Sequence, residues 1–273
     1  MNMTRKEQSM KDVDGTSDLM CQIIQCGISA QANDAECHSI WDAQGCSSLG
    51  DFQVPEPWNG DIANAKLLFL SINPGYVPNE FYPRKGNLWW IDENGDWAIN
   101  KVDDFFTNRF SSTHKYVLNE SGRRFRIKME DDSYKTLRRS FWGEIHKIAT
   151  LILNNDDVQI GKDYALTELV HCKTKRESDI EERCYSHCLT LWLGRVLNVA
   201  KKVERIVVIG RNPRTLIGQF VQPKIVSPKC YEWYERSIPG GKKFIWLFID
   251  HPAAYQCRAV SRVESLIKSN HIG

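Results

Sequence analysis

The sequence predicts an α/β protein, a three-layer α/β/α sandwich around a central, mainly parallel four-stranded sheet. Three observations predict it. Short apolar runs recur at 66–72, 164–170, 205–209 and 244–250. Stretches of helical period lie between them. The first, third and fourth runs end in turns built from Pro or Gly, at the strand ends where open α/β sheets hold their ligands.

Taken in order, residues 1–18 read as a polar leader and 19–273 as one domain. A helix is expected near Cys21–Ala32, then a loop holding Cys37 and Cys46. Pro55-Glu56-Pro57-Trp58-Asn59-Gly60 is a stiff, turn-rich approach to the first strand, Lys66–Ile72. The stretch 76–133 has few helical periods and many aromatics, and reads as an insertion of short hairpins or loops with an Asn94-Gly95 turn. Leu137, Phe141, Ile145, Ile148 and Ile152 at three- or four-residue steps predict a helix over Tyr134–Leu153. Strand two is Tyr164–Val170, followed by a helix over Ile180–Lys201 and strand three, Arg205–Ile209. Gly210-Arg211-Asn212-Pro213 then opens onto a helix near Leu216, whose first backbone N–H groups could face an anion. Strand four, Phe244–Asp250, precedes a last helix over Ser261–Ser269.

Composition narrows the class. No window approaches the ~20 apolar residues of a membrane-spanning helix, so no membrane partner is expected. The N-terminus lacks the apolar run of a secretory signal, and a cytoplasmic monomer is expected. That compartment disfavours disulfides among the nine cysteines. A net charge of +2 does not announce a nucleic-acid partner by itself. The local pattern does more: Arg123, Arg124, Arg126 and Lys128, then Lys135, Arg138 and Arg139, are interleaved with Phe125, Tyr134, Phe141 and Trp142. Cations beside aromatics suit phosphate contact and base stacking, although a solvated face beside core aromatics reads the same way.

Two strands deliver an Asn and a His into Pro-stiffened turns: Ile72-Asn73-Pro74-Gly75 and His251-Pro252-Ala253-Ala254. These two segments resemble the active-site motifs of the uracil-DNA glycosylase superfamily. The first is similar to that of its mismatch-specific and single-strand-selective branches, the second to that of its iron–sulfur branch. Leu166-Thr167-Glu168-Leu169-Val170-His171-Cys172 and Val207-Val208-Ile209-Gly210-Arg211 resemble two further strand ends of that branch, so the matches run in order along the chain.

The resemblance implies a monofunctional DNA glycosylase that flips out and excises a base, leaving an abasic site in DNA. It places Asn73 and His251 at one cleft, on adjacent strands. Asn73 would orient a water toward C1′, and His251 would donate to the oxyanion developing on the departing base. It further implies Ile72, Gly75 and an aromatic such as Phe81 or Tyr82 around the base, Tyr255 as a wedge in the vacated stack, and Arg258 and Arg211 on phosphates. No lysine stands in the matched motifs to form a Schiff base.

Glu168 departs from the family, which places Asn there. An ionised carboxylate only accepts, so it would repel O4 of uracil and suit the amino group of a cytosine-type base. A modified cytosine, such as the hypermodified cytosine of a phage, is then the expected substrate, in a defence role. A protonated Glu168 would instead donate to O4. The alternatives are a uracil-removing repair enzyme and a non-catalytic nucleic-acid binder. The iron–sulfur branch also implies a [4Fe–4S] cluster. Cys172 and Cys188 have the spacing of its second pair, and Cys37 and Cys46 occupy the region of the first without its tight spacing. Zinc on the same ligands, with His38 or His187 substituting, and plain buried thiols are the other readings.

Overall fold

A computed structural model of the chain describes residues 5–30, 37–120, 124–137, 141–221, 228–238, 241–252 and 258–270. Two helices, α1 (Arg5–Ser29) and α2 (His38–Gln44), precede the first strand, β1 (Leu67–Ser71). Next come α3 (Ile99–Thr107), the strands β2 (Val117–Glu120), β3 (Arg124–Lys128) and β4 (Tyr134–Thr136), and α4 (Phe141–Leu153). β5 (Tyr164–Glu168), α5 (Glu182–Cys188), α6 (Gly194–Val199) and β6 (Arg205–Ile209) follow. The chain closes with α7 (Arg211–Val221), β7 (Trp233–Ser237), β8 (Lys243–Ile249) and α8 (Ala259–Asn270).

The main sheet has five strands in the order β5-β1-β6-β8-β7, parallel except for β7. The expected count of four is therefore corrected. β7 was missed because Trp233–Ser237 carries two charges and no apolar run. It is an antiparallel edge strand, half-buried, and its pairing with β8 supplies what its composition does not.

Central strands are buried on both sides, which is why they read as unbroken apolar runs. Along β1, Leu68 and Leu70 enter one core with Ile206, Val208, Trp246 and Phe248, covered by α1, α3 and α6. Leu67 and Phe69 enter a second core with Val207, Leu247 and Ile249, covered by α4 and α8. The period of two thus sends alternate residues to opposite helical layers.

A second sheet, β2-β3-β4, is antiparallel and packs Val117, Phe125 and Ile127 into a small core of its own. Its third strand corrects the helix expected from Tyr134. Residues 134–136 pair with Lys128, Ile127 and Arg126, and Leu137 N–H donates to the Phe125 carbonyl, so α4 starts only at Phe141. Pairing across the sheet outweighs the helical spacing of Leu137, which joins this small core. At the other end of the chain, α1 runs from Arg5 through the segment expected as a leader.

Before β1, residues 52–59 are almost entirely buried and lie along the outer side of β5. Asn59 and Leu166 exchange backbone hydrogen bonds, and Glu56 N–H donates to the His171 carbonyl. Gly60 makes this approach feasible: its φ is +101°, and a Cβ there would lie 2.6 Å from Gly161 Cα.

Candidate active site at the carboxyl edge of the sheet

Asn73 follows β1 and is half-buried. Its Nδ2 donates to Thr174 Oγ1 (2.8 Å) and to the Pro74 carbonyl (3.1 Å). Both amide protons are committed, so Oδ1 is the atom presented as an acceptor. The segment after β5 runs beside the segment after β1 and supplies Thr174: Val170 N–H donates to Ile72 O, Thr174 N–H to Pro74 O and Tyr76 N–H to Thr174 O. Ile72 is buried in the larger core, so it supports Asn73 from below. Gly75 is exposed, and a Cβ there would meet nothing within 4 Å. Neither crowding nor a left-handed backbone requires glycine at this position.

His251 stands beyond β8, its ring stacked on Phe141 at 5.3 Å between centroids and 22° between planes. His251 is exposed, but the packing of its ring lowers its pKa from 6.5, and the carboxylate of Glu177 opposes that shift. Glu177 also accepts from Asn212 Nδ2 at the start of α7. Asn73, Thr174, Glu177, Asn212 and His251 therefore belong to one edge of the sheet, tied together through residues 174–177. One expectation needs correcting. Asn73 and His251 do not follow adjacent strands, because β6 lies between β1 and β8. Arg211 begins α7 and, with Asn212, Glu177 and Tyr185, lines a groove of 910 Å³ on this edge. Arg258 is exposed just ahead of α8. Tyr255 lies outside the described residues.

The aromatics expected at the base are placed differently. Tyr82 is fully buried, with Lys173 Nζ 3.5 Å from its ring centroid and Phe105 and Phe106 edge-on to it. It has no surface on which a base could stack. Phe81 packs against Trp90 and Tyr116, with Lys128 Nζ 4.7 Å from its ring centroid.

Beneath the edge lies a set of buried ions that the sequence did not disclose. Arg109 Nη1 donates to Glu56 Oε2 (2.7 Å) and Asn59 Oδ1 (2.8 Å), and Nη2 donates to Glu80. Lys173 Nζ donates to Glu80 Oε2 (2.9 Å), and the Tyr82 hydroxyl donates to Glu56 (3.2 Å). Burial works against an ionised Glu56, but Arg109 and Lys173 hold its pKa below the usual value. The two acids and two cations balance. His171 joins by donating Nδ1–H to the Glu56 carbonyl (2.9 Å), and burial pushes its pKa down to about 4.

Glu168, at the end of β5, is buried beside this balanced set. Burial and the charge of Glu56 raise its pKa well above 4.5, only partly offset by a hydrogen bond from Ser71. Arg109 and Lys173 are engaged by Glu56 and Glu80, and the upward shift favours the protonated carboxyl. Among the described residues its Oε2 has no partner. Of the two states the sequence allows, this environment favours the carboxylic acid, which donates as well as accepts, over the acceptor-only carboxylate.

The cysteines divide. Cys46 stands apart from the other three expected ligands, donating to Gln44 Oε1 (3.8 Å) with Asp51 and Lys175 nearby. Cys37 instead interacts with Cys184 and Cys188, and Cys172 feels Cys37, Cys26 and Cys184. Cys26 Sγ lies 3.4 Å from His187 Nε2. The Cys37 thiol is lowered by its hydrogen bond with Cys184 but raised, to about 12 in all, by that with Cys188 and by burial; hydrogen bonding to Cys37 and burial raise Cys184, and burial raises Cys172 well above its usual value. Among the described residues no three Cys, His, Asp or Glu side chains are arranged to hold a metal ion. Any iron or zinc that the purified protein carries is expected to survive Cys46→Ser and to be lost in Cys172→Ser, as read by metal content per chain. The reverse pattern would restore Cys46 as a ligand.

No protein-family model matches the chain, and no curated protein matches it significantly.

Proposed function

We propose that the chain is a monofunctional DNA glycosylase of the uracil-DNA glycosylase type, acting on a flipped-out pyrimidine at the carboxyl edge of its main sheet. The observation that carries this reading is the placement of Asn73 and His251 on one edge, joined through Thr174 and Glu177. Cleavage of the N-glycosidic bond builds positive charge on the sugar and negative charge on the base. Asn73, its amide protons held by Thr174 and Pro74, would accept a hydrogen bond from the attacking water through Oδ1 and aim it at C1′. Neutral His251 would donate to the base oxygen as charge develops there. Exposed, unhindered Gly75 leaves the backbone open to close approach by the substrate.

A neutral Glu168 changes the reading of the base. A carboxylic acid presents one donor and one acceptor, which matches O4 and N3–H of uracil or, with the roles exchanged, N3 and the amino group of cytosine. A preference for cytosine-type bases, including hypermodified ones, then belongs only to conditions in which Glu168 ionises.

Abasic-site formation on duplex and single-stranded DNA carrying uracil, 5-hydroxymethylcytosine or glucosylated cytosine tests the proposal. Excision is expected on at least one substrate. Asn73→Ala should abolish it without loss of DNA binding, and His251→Ala should slow it by about 10²–10³-fold, as for removal of an oxyanion donor. No abasic sites on any substrate, or unchanged rates in both variants, would leave a binding protein without this chemistry.

A further inference from the structure

A cavity of 1120 Å³ lies at the opposite edge of the main sheet from Asn73. Its walls are β2 and β3 of the small sheet, α4, and the loops that lead into β1 and β5. Lys115, Arg126, Lys147 and Lys162 line it. Asp61 is the only carboxylate in that lining among the described residues, and it is occupied by hydrogen bonds from Asn64. Lys115 and Lys162 are exposed, and no described carboxylate pairs with either. His146 also lines the groove, but burial lowers its pKa, so the cationic charge comes from the lysines and the arginine. Lys147 is ion-paired with Glu144, so Lys115 and Lys162, unpaired among the described residues, contribute with Arg126 beside them most of the positive field of this open groove.

We propose that this groove binds the phosphates of a nucleic-acid strand, as a second contact surface remote from the candidate active site. The choice of nucleic acid over another polyanion follows from β3. Arg124, Arg126 and Lys128 alternate with buried Phe125 and Ile127 and so share its outer face, and the Arg126 guanidinium lies 5.8 Å from the ring centroid of Tyr134. That face offers phosphate contacts beside an aromatic surface. β1 has five residues, so at ~3.3 Å each the two edges lie at least about 15 Å apart. A duplex covers that in roughly five base steps.

The proposal rests on the glycosylase reading only for the kind of polyanion, and its test separates the two. Binding of a labelled duplex is measured by anisotropy between 50 and 300 mM salt, for the native protein, Asn73→Ala and the triple variant Lys115→Gln/Lys147→Gln/Lys162→Gln. The triple variant is expected to bind about tenfold or more weakly, and the slope of log K against log salt should fall by about 2.7, at ~0.9 per lost phosphate contact. Asn73→Ala should bind as the native protein does. An unchanged slope in the triple variant overturns the proposal even if the native protein excises bases. A lost slope upholds it even if no base is excised. Displacement of the duplex by polyglutamate at equal charge concentration would show a general polyanion site and overturn the assignment to nucleic acid.

Discussion

Arg109→Leu is expected to destabilise the fold by about 3–5 kcal/mol, the usual consequence of removing one partner from a buried ionic set. Glu56 and Glu80 would then share Lys173 alone, a net negative charge in a site that water does not reach. Arg109→Lys should recover only part of the loss, because one ammonium cannot span Glu56, Asn59 and Glu80 as the guanidinium fork does. Urea denaturation at pH 7 measures both. A loss below about 1 kcal/mol for Arg109→Leu would mean that the two carboxyls take up protons at little cost, and that the set is not held by ion pairing.

Glu168→Gln should stabilise the protein at neutral pH, and the gain should vanish in acid. The folded-state pKa of Glu168 lies above the ordinary value of 4.5 because of burial and the nearby charge of Glu56. Between those two pKa values the folded chain keeps a proton that the unfolded chain releases. The contribution of Glu168 to stability is therefore full below about pH 4.5 and declines as pH rises toward the folded pKa. Glutamine has no such dependence. The stability difference should widen by about 1.4 kcal/mol per pH unit above 4.5 and level off at the folded pKa. Denaturation curves at pH 4, 6 and 8 decide it: parallel behaviour of the two proteins would place an ionised carboxylate in this site. Under the glycosylase reading, glutamine would also fix one donor and one acceptor toward the base, so any change of base preference with pH in the native protein should be absent from the variant.

The parts of the fold legible in the sequence are those whose burial is complete. Arg205–Ile209 is an apolar run because both faces of β6 are covered, and its ends coincide with those expected. β4 and β7 are short, half-exposed and polar, and each becomes a strand only through the neighbour it pairs with. In β7 a signal was present, since Pro239-Gly240-Gly241 precedes β8 as a hairpin turn would. The candidate site divides in the same way. Asn73 and His251 could be placed at strand ends because apolar runs lead directly into them. Glu56 and Arg109 could not be paired, being 53 residues apart and looking like any other surface charges. The sequence left both charge states of Glu168 open, because the choice depends on its burial and on the nearby charge of Glu56.

The buried segment 52–59 has a consequence for how copies of this chain can meet. A sheet whose terminal strand shows a row of unused amides and carbonyls invites another chain to extend it. Here Asn59 already exchanges hydrogen bonds with Leu166, the Thr167 hydroxyl donates to Pro57 O, and Glu56 reaches His171 O. The β5 margin is thus closed by the chain's own backbone. The far margin, β7, carries Glu235 and Arg236, charges that discourage extension there. Growth of this sheet by strand addition is therefore blocked at one side and opposed at the other.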